Sequence, residues 1–145
     1  MAARRTPDLC TIGYEGRELA EVIAMLSAEG IDRVIDIREL PLSRRRGFSK
    51  TPLGEALRAA GIEYMHMREA GNPYRKQKDE IPREQLLAKY ERHLAHAEDV
   101  VEHVVEAVRG HRAALLCYEV EPHECHRSKL APRVAKKLGV AVRDL

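Results

Sequence analysis

The sequence predicts an α/β domain: a three-layer sandwich with a mainly parallel sheet of four to five strands and helices on both faces. Three observations carry that expectation. Short aliphatic runs alternate with segments whose apolar residues recur at helical spacing, the pattern of βαβ units. Glycines stand just past the helical segments, at Gly30, Gly61, Gly110 and Gly139, where helix-terminating residues belong. The chain has 145 residues, 44% of them hydrophobic, with no internal repeat, linker or low-complexity stretch. That supports one domain over residues 1–145.

Taken in order, residues 8–12 (Asp-Leu-Cys-Thr-Ile) read as a short buried strand, and Gly13, Tyr14, Glu15 and Gly16 as a turn. Leu19, Val22, Ile23 and Leu26 recur at helical spacing. Residues 33–37 (Arg-Val-Ile-Asp-Ile) are β-branched enough for a second strand, which completes a right-handed βαβ unit. Residues 38–50 break the pattern and carry five basic side chains (Arg38, Arg44, Arg45, Arg46, Lys50) against one acidic, Glu39. Thr51 is expected to cap a short helix with Pro52 at its first position. Residues 63–67 form the third strand.

Residues 68–82 make a polar loop of a length that in compact domains marks a functional lid or a disordered segment. Leu87, Tyr90, Leu94, Ala97, Val101, Val104 and Val108 then form a helical stripe. It predicts one long helix, or two split near Asp99 with Asp99 and Glu102 as a capping pair. Residues 113–117 are the fourth strand. The closing helix presents Leu130, Ala131, Val134, Ala135 and Leu138, and Pro132 predicts a kink or restart within it. Residues 141–143 add a last short strand.

Composition narrows the function. Net charge is +2, so the chain is no polycation, and a nucleic-acid partner has to be argued from local clustering. One Phe, five Tyr and no Trp leave an aliphatic core. No window approaches the roughly 18 apolar residues of a membrane span, and residues 1–8 lack a signal-peptide core. Three cysteines, an odd count without a disulfide-framework spacing, favour a cytoplasmic location with free or metal-bound thiols.

Ligands of open parallel sheets bind outside the strands' carboxyl ends. Three groups of chemically capable residues fall there: Tyr14 and Glu15 after the first strand, Asp36 and Arg38 after the second, and residues 117–127 after the fourth. Within the last group Cys125 is the candidate for chemistry, because a helix starting there favours a thiolate, helped by His126 and Arg127. His126 and Glu119 are the acid/base candidates. Tyr14, Glu15, Asp36, Arg38, Arg44, Cys117 and Arg127 are the candidate ligand-binding residues. The competing bland reading of Cys125 is a half-buried thiol that happens to begin a helix.

Asp36 sits in an aliphatic strand and needs a partner if buried, and Arg38 shares its face. Arg44, Arg45 and Arg46 can grip phosphates, with Phe48 offering a stacking surface. Known signatures restrain the reading. Position 131, where a phosphatase-type loop carries arginine, is Ala131, and Cys117 and Cys125 are too far apart for a thioredoxin-like pair. Cys117, His123, Cys125 and His126 match no zinc-finger or ribbon spacing, so no metal ligands are assigned. Cys10 reads as core, and His93, His96 and His103 as surface.

Several of these motifs recur together elsewhere. They are Thr11-Ile12-Gly13-Tyr14-Glu15-Gly16; Asp36-Ile37-Arg38 with Pro41, Ser43 and Phe48; Gly61-Ile62-Glu63-Tyr64; and Leu116-Cys117-Tyr118-Glu119 followed by Cys125-His126-Arg127. In this order the chain resembles the domain-of-unknown-function 488 family over nearly its whole length. The resemblance implies a small α/β domain of bacterial or archaeal type, groups the motifs as one site that takes in Ser43, and supplies no reaction. Where the family usually carries Leu before the glycine of the 68–82 loop, this chain has Ala70. The expectation is a pocket that binds or acts on a small anionic, phosphate-bearing and nucleotide-like ligand, with no cofactor named. The alternatives are a nucleic-acid-binding module using residues 44–50 and a metal-binding structural domain.

Overall fold

Five parallel strands in the order β3-β2-β4-β1-β5 form one sheet in the computed structural model, which describes residues 8–145. The strands are β1 (Leu9–Gly13), β2 (Arg33–Asp36), β3 (Glu63–His66), β4 (Ala113–Cys117) and β5 (Val142–Asp144). The helices are α1 (Leu19–Ala28), α2 (Lys50–Ala59), α3 (Arg83–Ala95), α4 (Glu98–Val108) and α5 (Arg127–Leu138). The signal-peptide reading of residues 1–8 falls almost wholly on residues 1–7, outside the described ones. None of the described helices is long and apolar enough to cross a membrane.

Alternation along the strands splits the core between two faces. Cys10, Ile12, Val34, Ala114 and Leu116 pack with Val22 and Leu26 of α1 and Leu53 and Leu57 of α2. Leu9, Ile35, Leu115 and Cys117 face the other way, toward Tyr90 and Leu94 of α3, Val101 and Val104 of α4, and Leu130 and Val134 of α5. Burying one such aliphatic side chain is worth about 1.5–3 kcal/mol, so a core with few aromatics suffices. Cys10 belongs to it, fully buried.

Local details depart from the sequence reading. The N-cap of α2 is Ser49, not Thr51, and its side chain makes no cap bond. Ser49 Oγ is instead spent on Ser43, accepting from its N–H (3.0 Å) and donating to its carbonyl (3.2 Å). The long stripe is two helices, as the split reading had it, but the break falls at His96 and Ala97. Asp99 lies inside the first turn of α4, so it caps nothing. Helix α5 runs unbroken past Pro132 because Leu130, Ala131, Val134 and Ala135 hold its apolar face in the core.

The 68–82 segment is folded down rather than loose. It forms two 3₁₀ turns, Arg68–Ala70 and Arg75–Gln77. Arg68 and Arg75 both reach Glu39, at 3.2 and 2.5 Å, and the Tyr90 hydroxyl donates to the Ala70 carbonyl at 2.8 Å. This pins a polar flap over the carboxyl ends of the strands.

Candidate functional site

A cavity of about 550 Å³ opens at the carboxyl ends of β1, β2 and β4, three adjacent strands. Tyr14, Arg38, Cys117, Tyr118, Glu119 and His126 line it from the strand ends and the segment after β4. Leu40, Leu42, Ser43 and Arg44 come from the basic segment after β2, and Asn72, Arg75, Lys78 and Asp79 from the flap. The convergence argued from a parallel sheet therefore holds for most of the candidates. No side chain fits at Gly13: a Cβ there would lie 1.9 Å from the Glu119 carbonyl oxygen. The end of β1 and the segment carrying Glu119 come together only because that position is glycine.

Asp36 is fully buried and has the partner that burial demands. Arg38 donates from Nε to Asp36 Oδ1 (2.8 Å) and from Nη2 to Oδ2 (2.7 Å), a bidentate pair. Its Nη1 donates to the Tyr14 hydroxyl (3.1 Å) and the Phe48 carbonyl (2.6 Å). Tyr64 donates to Asp36 Oδ2 at 2.6 Å. Burial pulls the Arg38 guanidinium down, but the hydrogen bonds and charge of Asp36 outweigh it and raise it above its ordinary value. Burial first, then Asp36, also pushes the Tyr64 phenol up. Arg38 was expected to hold an anion; four of its five N–H groups are committed inward, so it is a brace of the cavity wall.

Arg127 is likewise turned inward, with 0% of its surface exposed. It donates to Thr11 Oγ1 (3.1 Å), Cys117 Sγ (2.8 Å), the Val120 carbonyl (3.1 Å) and the Glu119 carbonyl. No carboxylate forms an ion pair with it among the described residues. Burial lowers its pKa, as an always-charged group in a dry site requires. The anion-holding role expected for Arg127 gives way to a structural one: its fork ties the segment after β4 to β1. Glu15 supports the same segment, its Oε1 accepting from the Val120 N–H at 3.3 Å. Its carboxylate pairs with neither Arg38 nor Arg127, and the Glu119 carboxylate pairs with neither, Glu119 meeting Arg127 only through its backbone carbonyl.

The thiols rank differently from the sequence reading. Both are 1% exposed, but Cys117 lies on the cavity wall and Cys125 does not, sitting instead just before the start of α5. The structure pairs these two as a disulfide, with Cα atoms 7.5 Å apart, and leaves Cys10 as the free cysteine among the described residues, a departure from the free or metal-bound thiols expected from the spacing. Cys125 Sγ accepts the Arg127 backbone N–H (3.4 Å), as expected at a helix start. His126 donates from Nε2 to the Ile37 carbonyl (2.8 Å), which leaves Nδ1 as an acceptor 3.6 Å from Cys125 Sγ. Burial pushes this imidazole down to about 4, so it is neutral at pH 7. Burial also raises the Glu119 carboxyl above the usual carboxylate range.

Three further expectations are corrected. Phe48 offers no stacking surface: it is 1% exposed and stacks on Tyr14 at 4.3 Å between ring centroids. Arg45 donates to the Arg17 carbonyl at 2.5 Å, which leaves Arg44 as the arginine of that triplet on the cavity wall. The metal-ligand test on Cys117, His123, Cys125 and His126 grouped the wrong residues. His123 is exposed, whereas Cys117, Glu119 and Cys125 bring their ligand atoms within 4.8 Å of one another.

Sequence reasoning missed Leu40, Leu42 and Tyr118. They are the large hydrophobic side chains left exposed among the described residues, and all three rim this cavity. Arg75, Lys78 and Arg83 were missed as well; the length of the polar 68–82 segment was the available signal for the first two, and Arg83 opens α3 just beyond it.

The chain was compared with known proteins at three levels. Searches of curated proteins and of solved structures found no match. The family model described as "Domain of unknown function DUF488" matches residues 18–134, most of the chain and both the Asp36–Arg38 pair and the Cys117–Arg127 segment. The chain belongs to the DUF488 family.

Proposed function

We propose that the cavity binds a small phosphate-bearing organic ligand of nucleotide type. One observation supports the reading above others: the mouth combines cations without ion-pair partners and an exposed apolar rim. Arg75 is paired with Glu39 and Arg83 with Glu124, but Arg44 and Lys78 form no ion pair among the described residues. Leu40, Leu42 and Tyr118 stand beside them. That pairing of a few charges with apolar and aromatic surface suits a ligand with an anionic end and a flat or apolar body. The phosphate belongs at Arg44 and Lys78, and the body against Tyr118 and the leucines. At the floor, Cys117 and the Glu119 carboxyl would meet the bound molecule, with His126 held beside them by its bond to the Ile37 carbonyl.

Isothermal titration with a nucleoside 5′-monophosphate and with the matching nucleoside tests this. The phosphate form is expected to bind about tenfold more tightly or better, a difference of about 1.4 kcal/mol. Arg44→Ala and Lys78→Ala should each erase much of that advantage without changing the fold. Equal affinities for the two compounds, or full binding by the double variant, would contradict the reading. The nucleic-acid alternative retains Arg46 and Lys50 as exposed cations but loses Phe48 to the core. It would prevail if only polynucleotides bound, with an affinity falling steeply with salt.

A further inference from the structure

We infer that Cys117, Cys125 and Glu119 form a binding site for one thiophilic divalent cation of the Zn²⁺ class, with a fourth coordination position open to the cavity. The first observation is proximity: two sulfurs and a carboxylate oxygen from these three residues lie within 4.8 Å of one another. One tetrahedral ion spans such a set, with metal–sulfur distances of about 2.3 Å and metal–oxygen distances of about 2.0–2.2 Å.

The second observation is backbone spacing. Disulfide-bonded cysteines usually have Cα atoms about 4.4–6.8 Å apart, and a separation above about 7 Å needs backbone movement. Cys117 and Cys125 are 7.5 Å apart. The pair stands wider at the backbone than most disulfides, and once it is reduced the sulfurs, now in contact, must part to admit an ion between them, which the backbone spacing allows. The ends of β4 and of the 3₁₀ turn Pro122–Glu124 fix it.

The third observation is charge. Arg127 is a buried cation with no carboxylate ion pair, and it donates to Cys117 Sγ at 2.8 Å. A buried unpaired charge is costly, so the sulfur that faces it serves best as a thiolate. A divalent cation offsets the charge of the two thiolates, while the nearby Asp144 and Glu119 carboxylates act on the Arg127 charge. Arg127 then acts as an outer donor to both sulfurs, through Nη1 to Cys117 and its backbone N–H to Cys125. On binding, the ion displaces the remaining thiol proton to solvent, and no electron changes hands. Thiolate donors select a soft or borderline ion over Mg²⁺ or Ca²⁺. His126 stays outside the set, bonded to the Ile37 carbonyl.

Three protein donors with an open position facing a cavity is the arrangement of a reactive rather than a purely structural metal site. The inference rests on the floor residues and stands whether or not a nucleotide binds at the rim. The test uses the full chain, purified with reductant, stripped with chelator and shown to be folded by circular dichroism. Titration with Co²⁺ should saturate at one ion per chain and develop thiolate-to-cobalt charge-transfer and tetrahedral d–d bands, both lost on adding Zn²⁺. Cys125→Ser should weaken binding by at least about tenfold and reduce the charge-transfer intensity. Glu119→Gln should weaken it by about tenfold while keeping the thiolate bands, and Cys10→Ser should change nothing. No Co²⁺ uptake by folded, reduced protein would overturn the inference. So would uptake indifferent to both ligand substitutions, or recovery of a metal-free 117–125 disulfide from cells grown with zinc.

Discussion

Asp36→Ala is expected to lower folding stability by about 3–5 kcal/mol, read as a shift of the urea midpoint at unchanged slope. The size follows from what is left behind. Arg38 is 6% exposed and loses both carboxylate contacts, while the Tyr64 hydroxyl loses its acceptor. A buried ion pair adds little over a well-packed apolar pair, but removing one partner strands the other charge. Replacing both, as Asp36→Ala with Arg38→Met, should therefore cost clearly less than the two single losses added together. A single-variant loss below about 1 kcal/mol would mean that water reaches Arg38 and that the pair does not brace the cavity wall.

Arg127→Ala is expected to cost at least about 3 kcal/mol by the same measurement. Arg127 is among the largest fully buried side chains, so truncation leaves both a cavity and unpaired acceptors on Glu119, Val120 and Cys117. Arg127→Lys should recover less than half of the loss. One ammonium cannot span Thr11, Cys117 and two carbonyls as a planar fork does. Full rescue by lysine would show that charge alone matters there and that the fork does not set the course of residues 117–121.

Much of this fold was legible because periodicity reports burial. The continuous aliphatic runs of β1, β2 and β4 follow from strands buried on both faces, and the three-and-four spacing in α3 and α4 from one face meeting the core. The Asp36–Arg38 pair was legible for a related reason, since a carboxylate in an aliphatic strand has few affordable solutions. What the sequence hid was competition for side chains. Ser49 and Thr51 are equivalent cap candidates by type, and only the loop contact to Ser43 shows where Ser49 Oγ is used. Arg38 and Arg127 looked like anion holders because their internal acceptors, the Phe48, Glu119 and Val120 carbonyls, carry no residue-type signal. The order of the two thiols was hidden because which one faces the cavity depends on the path of residues 118–124. The rim of Leu40, Leu42 and Tyr118 went unnoticed because exposed apolar residues mean something only when they cluster, and clustering is a property of the fold.

Competitive alkylation tests most directly the claim that Cys117 is the thiol of a ligand-binding cavity. Folded, reduced and chelator-stripped protein is treated with limiting iodoacetamide, and the modified cysteines are mapped by mass spectrometry with and without a nucleoside monophosphate. Cys117 should be modified well ahead of Cys125 and Cys10, and the ligand should slow its modification. Modification of Cys125 first, or a Cys117 rate indifferent to saturating ligand, would contradict the account.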